Sequence, residues 1–82
     1  MHKVYNTSGT CSVQLEFDID DEGLIHNIKY LGGCDGNLKA VGLLAEGKKA
    51  SDVADLLGGL RCGFKPTSCG DQLARAIREA GY

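Results

Sequence analysis

The chain has 82 residues, of which 43% are hydrophobic and 24% are charged, and its formal net charge is −2. This length favours a single domain over residues 1–82, with a thin hydrophobic core. The scattered basic residues do not favour a nucleic-acid partner, and no apolar run approaches the roughly 20 residues that cross a membrane. The first residues lack the apolar stretch of a signal peptide, so we expect a cytoplasmic protein.

The first half of the chain predicts an antiparallel sheet. Residues 12–19 alternate between apolar and polar side chains, which is typical of a half-buried strand. The predicted inner face consists of Val13, Leu15, Phe17 and Ile19. A turn at 20–23 leads to a second extended run at 24–31, rich in branched and aromatic residues. Because two strands alone are marginal, the run 3–6 is a candidate third strand.

Two helices are predicted after the sheet. Apolar residues recur at helical spacing from about 35 to 46, and Gly47 is a stop signal. The expected inward positions of this helix are Leu38, Val41, Leu44 and Ala45. Ser51 is a good N-cap for a short second helix that ends at Gly58. Its expected inward positions are Val53, Leu56 and Leu57.

A third helix is predicted to open at Thr67 and Ser68, where Ser68 and Asp71 approximate a capping box. Its apolar stripe before Gly81 consists of Leu73, Ala76, Ile77 and Ala80. Strands followed by helices indicate an α+β fold. We therefore expect an antiparallel two- to three-stranded sheet followed by three helices packed on one face.

The four cysteines, Cys11, Cys34, Cys62 and Cys69, all lie where one predicted element gives way to the next. A cysteine kept for packing would lie on an apolar face, whereas thiols at loops and helix starts are free to converge on an ion. Helix N-termini favour the thiolate at Cys34 and Cys69, and Arg61 and Lys65 beside Cys62 act in the same direction. In a reducing cytosol, metal binding or redox chemistry explains such cysteines better than disulfides.

Alternatives to a shared site remain open at this point. The sequence has no Cys-x-x-Cys pair, so a standard zinc ribbon is unsupported. Four unrelated free thiols, or two disulfides with three connectivities, are the simpler explanations. His2 is expected to be solvated at a mobile terminus, and His26 to be a surface or packing residue. No catalytic triad, phosphate loop or paired acid and base is visible, so the chain is expected to be non-catalytic by itself.

The segment from Lys65 to Asp71, together with Gly33, Cys34 and the other two cysteines, resembles the TSCPD-domain family over nearly the whole chain. Gly70 stands where the family name has proline. Related domains occur at the C-terminal end of adenosylcobalamin-dependent ribonucleotide reductases. The resemblance implies a metal site, with zinc as the expected ion, and a link to deoxynucleotide synthesis. The implied metal ligands are Cys11, Cys34, Cys62 and Cys69.

The order of cysteines and elements is also similar to IscU/NifU-type iron–sulfur scaffold proteins, in which Cys11, Cys34 and Cys69 would correspond to the cluster ligands. Val13 and Ser68 stand where the scaffolds have aspartate and histidine, and Cys62 is an additional thiol. The resemblance implies a similar fold, with an iron–sulfur cluster or a thiol or persulfide carrier as alternatives to zinc. The expected partner is a ribonucleotide reductase or another redox protein, and the oligomeric state stays open.

Overall fold

The computed structural model describes residues 1–33 and 35–82, which form three strands followed by three helices. The strands are β1 (His2–Asn6), β2 (Ser12–Ile19) and β3 (Ile25–Gly32). The helices are α1 (Asp35–Ala45), α2 (Ala50–Leu57) and α3 (Cys69–Glu79). The strands form one antiparallel sheet in the order β1-β2-β3. The predicted α+β class and the third strand are therefore confirmed.

The core lies between one face of the sheet and the helices. The sheet contributes Leu15, Phe17, Ile19 and Ile25, each no more than 1% exposed. The helices contribute Ala45, Ala50, Val53, Ala54, Leu73, Ala74, Ala76 and Ile77 to the same cluster. The helix α1 packs on β3, and α2 packs on α3. Burying one face of an amphipathic sheet and one stripe of each helix is what stabilises so small a domain.

A β-bulge at Val13 corrects one predicted face. The pairing of β2 with β3 shifts between Ser12 and Gln14, so Val13 is an extra residue on its strand. Val13 is 62% exposed and Ser12 is buried, although the alternating pattern predicted the reverse. The bulge therefore turns the Ser12 side chain inward, at the end of the sheet that is nearest the start of α3.

The linker between α1 and α2 corrects the predicted start of the second helix. Ala50 N–H donates to the Gly23 carbonyl at 2.9 Å, and Ile25 N–H donates to the Lys48 carbonyl at 2.9 Å. These bonds hold the linker against the start of β3, so α2 begins at Ala50 with Lys49 as a cap that has no side-chain bond. Ser51 consequently lies inside the helix, and its predicted N-cap role is wrong.

Two leucines that were predicted to face inward do not. Leu44 and Leu56 are each 77% exposed, whereas Val53 is buried and Leu57 is partly buried against the core. Both exposed leucines lie on the sides of α1 and α2 that face away from the sheet. The core of an 82-residue chain is too small to cover every apolar position of two short helices.

Both histidines form ion pairs at the surface. His2 belongs to β1 and contacts Asp18 and Glu16, so it does not lie on a mobile terminus as expected. His26 lies between Asp20 and Glu46, with nitrogen to oxygen distances of 2.7 and 2.5 Å. Hydrogen bonds that the imidazoles donate to these carboxylates raise the pKa of each imidazole. In the described part of the chain, no helix is long and apolar enough to span a bilayer.

Candidate functional site: a thiol-lined pocket

The start of α3 is held by its own side chains. Ser68 has extended backbone angles and its hydroxyl accepts a hydrogen bond from Asp71 N–H at 3.0 Å, which is the N-cap that the sequence predicted. The Asp71 carboxylate is turned inward rather than back to Ser68. It accepts from the Thr67 hydroxyl and, at 2.7 Å, from Gly59 N–H. The cap therefore joins α3 to the end of α2.

A second set of bonds extends from Thr67 into the sheet side of the molecule. Gln72 donates its amide to the Thr67 hydroxyl at 3.0 Å, and its amide oxygen accepts from Ser8 N–H at 3.2 Å. Thr67, Asp71 and Gln72 are all at least 95% buried. Because each polar group in this network has a partner, burial does not carry the usual penalty for unsatisfied donors and acceptors. The network fixes the position of Cys69, the first residue of α3.

The Cys69 thiol lies against the start of β2. Ser12 Oγ is 3.3 Å from Cys69 Sγ, and Thr10 Oγ1 is 3.0 Å from Ser12 Oγ. Burial opposes ionisation of the Cys69 thiol. Hydrogen bonds from the side chain and backbone of Ser12, and from the side chains of Thr10 and Cys11, outweigh burial and hold the pKa of Cys69 below its ordinary value. Cys69 thus has more thiolate character than an ordinary cysteine.

Tyr30, near the end of β3, also contacts the start of α3. Its hydroxyl donates to the Cys69 carbonyl at 2.9 Å. Burial, together with the negative charge that Cys69 carries as a thiolate, raises the pKa of Tyr30. The phenol therefore stays protonated and remains a hydrogen-bond donor to the helix that positions the thiol.

Cys11, Cys62 and Cys69 line one cavity of about 220 Å³. Cys11 precedes β2, Cys62 belongs to the loop between α2 and α3, and Cys69 begins α3. The other described residues around the cavity are Thr10, Asn37, Leu38, Val41, Lys65, Ser68 and Gly70. Residues that are far apart in the sequence thus meet at the point where the sheet, α1 and α3 converge.

Gly33, after the end of β3, lies against two residues that line this cavity, Leu38 and Cys11. It has a φ of +84°, and a β-carbon added there would lie 2.9 Å from Leu38 Cδ1 and 3.4 Å from Cys11 Sγ. Only glycine combines that backbone conformation with so close an approach. Gly33 directly precedes Cys34 in the sequence. The backbone therefore lies beside the Cys11 thiol at the residue before Cys34.

The loop that carries Cys62 is held by two backbone bonds. Cys62 N–H donates to the Thr67 carbonyl at 3.1 Å, and Lys65 N–H donates to the Cys62 carbonyl at 3.1 Å. This turn keeps Cys62 at the mouth of the cavity, where its side chain is exposed. Arg61 and Phe64 in the same loop are also exposed.

Of the four predicted metal ligands, three are brought to one cavity and Cys34 lies outside the described residues. Cys11, Cys62 and Cys69 are free thiols. Within 1–33 and 35–82, no three Cys, His, Asp or Glu side chains are gathered into a group that could hold a metal ion. The sequence did not reveal Thr10, Ser12 and Tyr30 as contacts of Cys69, because the bulge that turns Ser12 inward has no signature in the alternating pattern.

These features define a small α+β domain in which thiols from separate elements line a cavity at the N-terminus of the last helix. The sequence matches the TSCPD domain over residues 2–81, and the chain belongs to this family. No curated protein and no solved structure matches the chain. The residues Thr67 to Asp71, which correspond to the family name except for Gly70, are those that build the start of α3.

Proposed function

We propose that the domain binds one metal ion, with zinc as the expected ion, through Cys11, Cys34, Cys62 and Cys69. The observation that supports the proposal is the cavity lined by Cys11, Cys62 and Cys69. Thiolates are preferred ligands of zinc, and four of them form a closed structural site. Bound zinc would supply a cross-link between β2, the loop of Cys62 and α3, which a domain with a small core can use for stability.

The residues around the cavity fit a thiolate site in two respects. The pKa of Cys69 is already lowered by hydrogen bonds to its sulfur, and metal binding requires the deprotonated thiol. Such bonds also orient ligating sulfurs and tune their basicity. The described thiols do not yet form a group of three around one point. The proposal therefore requires the thiols of Cys11 and Cys69 and the exposed loop of Cys62 to draw closer together.

The direct test is native mass spectrometry with elemental analysis of protein purified without chelator. We expect one zinc per chain in the native protein and loss of the metal in Cys62→Ser. Cys62 is exposed, so its replacement removes a ligand without removing a core side chain. Phe64→Ser is the matched control, because Phe64 is a fully exposed residue of the same loop that does not line the cavity.

The control variant should keep its zinc and its stability. Metal-free native protein, or Cys62→Ser that retains one zinc per chain, contradicts the proposal. Iron with acid-labile sulfide in place of zinc would instead support the iron–sulfur alternative that the likeness to IscU/NifU-type scaffolds implies.

The position of Cys11 and Cys69 in one cavity favours a second candidate function, a thiol carrier. In it, the Cys69 thiolate attacks a disulfide RSSR, forms a mixed disulfide and releases one RS⁻. The Cys11 thiolate then attacks the Cys69 sulfur and displaces the second RS⁻, so that RSSR is reduced to two thiols and the two cysteines are oxidised to a disulfide. The lowered pKa of Cys69 suits the attacking role.

Alkylation rates separate the two functions. A carrier is expected to show fast modification of Cys69 alone at a pH below the ordinary thiol value of about 8.5. A closed metal site is expected to protect all four thiols equally until a chelator is added. The matched control is Cys69→Ser, which abolishes the fast phase of a carrier.

The family relation also suggests a role for the domain in the cell. We propose that it is a cytoplasmic accessory to a ribonucleotide reductase, acting in deoxynucleotide synthesis. Support comes from the family membership, together with the resemblance noted above to domains of adenosylcobalamin-dependent reductases. Co-purification of a reductase with the tagged chain tests this role, and its absence from the captured proteins contradicts it.

A further inference from the structure

An apolar groove lies between α1 and α2, on the side of the molecule away from the sheet. It encloses about 410 Å³. Its apolar lining consists of Val41, Leu44, Ala45, Val53, Leu56 and Leu57. Leu44 and Leu56, which are each 77% exposed, form the two lips of the groove. Exposed leucines gathered at one concave site are typical of an interaction surface, whereas single exposed leucines are common on any protein.

The fold explains why the groove is open. The linker between the two helices is held against the start of β3 by the bonds of Gly47, Lys48 and Ala50. The helix α1 packs on β3 and α2 packs on α3. Each helix thus packs against a different neighbour, and the groove between them is open to a binding partner.

Charges of both signs lie at one end of the groove. Lys48, Lys49 and Asp52 line it together, at the start of α2. In the part of the chain that the structure covers, none of the three forms an ion pair. An acidic partner would pair with the lysines but would meet Asp52 with the same sign. A second copy of this chain brings lysines for Asp52 and an aspartate for the lysines.

We infer that the groove is the interface of a homodimer, in which two copies pack α1 and α2 against each other about a two-fold axis. In such an isologous contact the same patch is used by both copies, so Leu44 and Leu56 of each copy enter the groove of the other. Lys48 and Lys49 of one copy then face Asp52 of the other. The net charge of only −2 per chain opposes this association weakly.

The proposal is tested by sedimentation velocity between about 10 μM and 1 mM, the range in which a modest interface saturates. We expect the native chain to sediment as a dimer at the upper end and Leu56→Asp to stay monomeric throughout. Leu31→Asp is the matched control, because Leu31 is 61% exposed and lies on β3, away from the groove. It should dimerise like the native chain. A native chain that is monomeric at every concentration, or a dimer that survives Leu56→Asp, overturns the proposal.

A charge exchange tests the two-fold arrangement itself. The double variant Lys48→Glu/Lys49→Glu places three acidic groups at the charged end of the groove, and Asp52→Lys places three basic groups there. Each variant alone should be monomeric, because like charges then face each other across the axis. Mixed in equal amounts, they should form a heterodimer. Failure of the mixture to associate, with the native chain dimeric, overturns the two-fold pairing and leaves the proposed metal site untouched.

Discussion

The buried hydroxyl of Thr67 offers the sharpest test of how the start of α3 is stabilised. It donates to the Asp71 carboxylate and accepts from the Gln72 amide at 3.0 Å. Replacement by valine keeps the shape of the side chain and removes both bonds. A hydrogen bond to a charged group contributes about 1.5–3 kcal/mol, and a buried donor left without an acceptor costs about 1–3 kcal/mol.

Since these two effects share one network and are not additive, we expect Thr67→Val to lower the free energy of unfolding by about 2–4 kcal/mol. A chain of this length has a total stability on the order of 4–12 kcal/mol. With a urea dependence of about 1 kcal/mol/M for a small domain, the unfolding midpoint should fall by about 2–4 M. The measurement is urea unfolding of reduced protein in the presence of a chelator, so that metal binding does not contribute.

Thr67→Ser is the matched control. It keeps the hydroxyl and loses one methyl group, so it should cost only about 1 kcal/mol. Bonds from Thr67 and Gly59 and the ion pair with Arg75 together outweigh burial and hold the pKa of Asp71 below its usual range. The stability that Asp71 contributes is therefore present above the ordinary carboxyl pKa near 4 and is lost as the pH falls through its lowered value. Thr67→Val that is as stable as Thr67→Ser would refute this account of the motif.

Three further predictions concern the backbone and the surface. Gly70→Ala should stabilise the protein by about 0.5–1 kcal/mol, because its β-carbon would make an ordinary 3.5 Å contact with Leu57 Cδ2. Gly33→Ala should destabilise it by at least about 1–2 kcal/mol because of its positive φ and the close approach of Leu38. If Gly70→Ala and Gly33→Ala shift the urea midpoint in the same direction, these two predictions are contradicted. Asn27 has a φ of 57° in the bulge of β3, and its side-chain amide donates to Asp18 at 3.1 Å. Asn27→Ala should therefore lower the stability by about 1 kcal/mol or more, and Asn27→Gly by less, because glycine adopts a positive φ without strain. Equal unfolding midpoints of the two variants would argue against strain at this position. The pKa of His26 is raised, mainly by its hydrogen bond to Asp20 and then by that to Glu46. The stability that His26 contributes is therefore fully present below the ordinary imidazole pKa of about 6.5, and it is lost as the pH rises through the raised pKa. The pKa values of the Asp20 and Glu46 carboxylates are lowered. The stability that these two groups contribute is therefore present above the ordinary carboxyl pKa near 4. In a His2→Gln background, His26→Gln should therefore lower the thermal midpoint most at about pH 5–6 and less at pH 8, and a deficit that grows with pH would contradict the assignment.

The sequence by itself determined the order of the elements and the N-cap of α3. The alternation of residues 14–19 and the helical spacing of Leu73, Ala76 and Ile77 each place apolar groups on one side of a local structure. Ser68 binds a backbone N–H only three residues away. These features depend on the period of the backbone and on neighbours in the chain, so they can be predicted without knowledge of the tertiary structure.

Tertiary structure alone decided which side chains meet at the Cys69 thiol. Ser12 reaches it because a bulge at Val13 shifts the register, and Cys11 lines the same cavity because β2 and α3 converge. The same holds for Leu44 and Leu56, whose exposure depends on how α1 and α2 are held by different neighbours. Periodicity describes one element at a time, whereas a pocket or a groove is set by the relative placement of several, which is governed by long-range packing and backbone pairing.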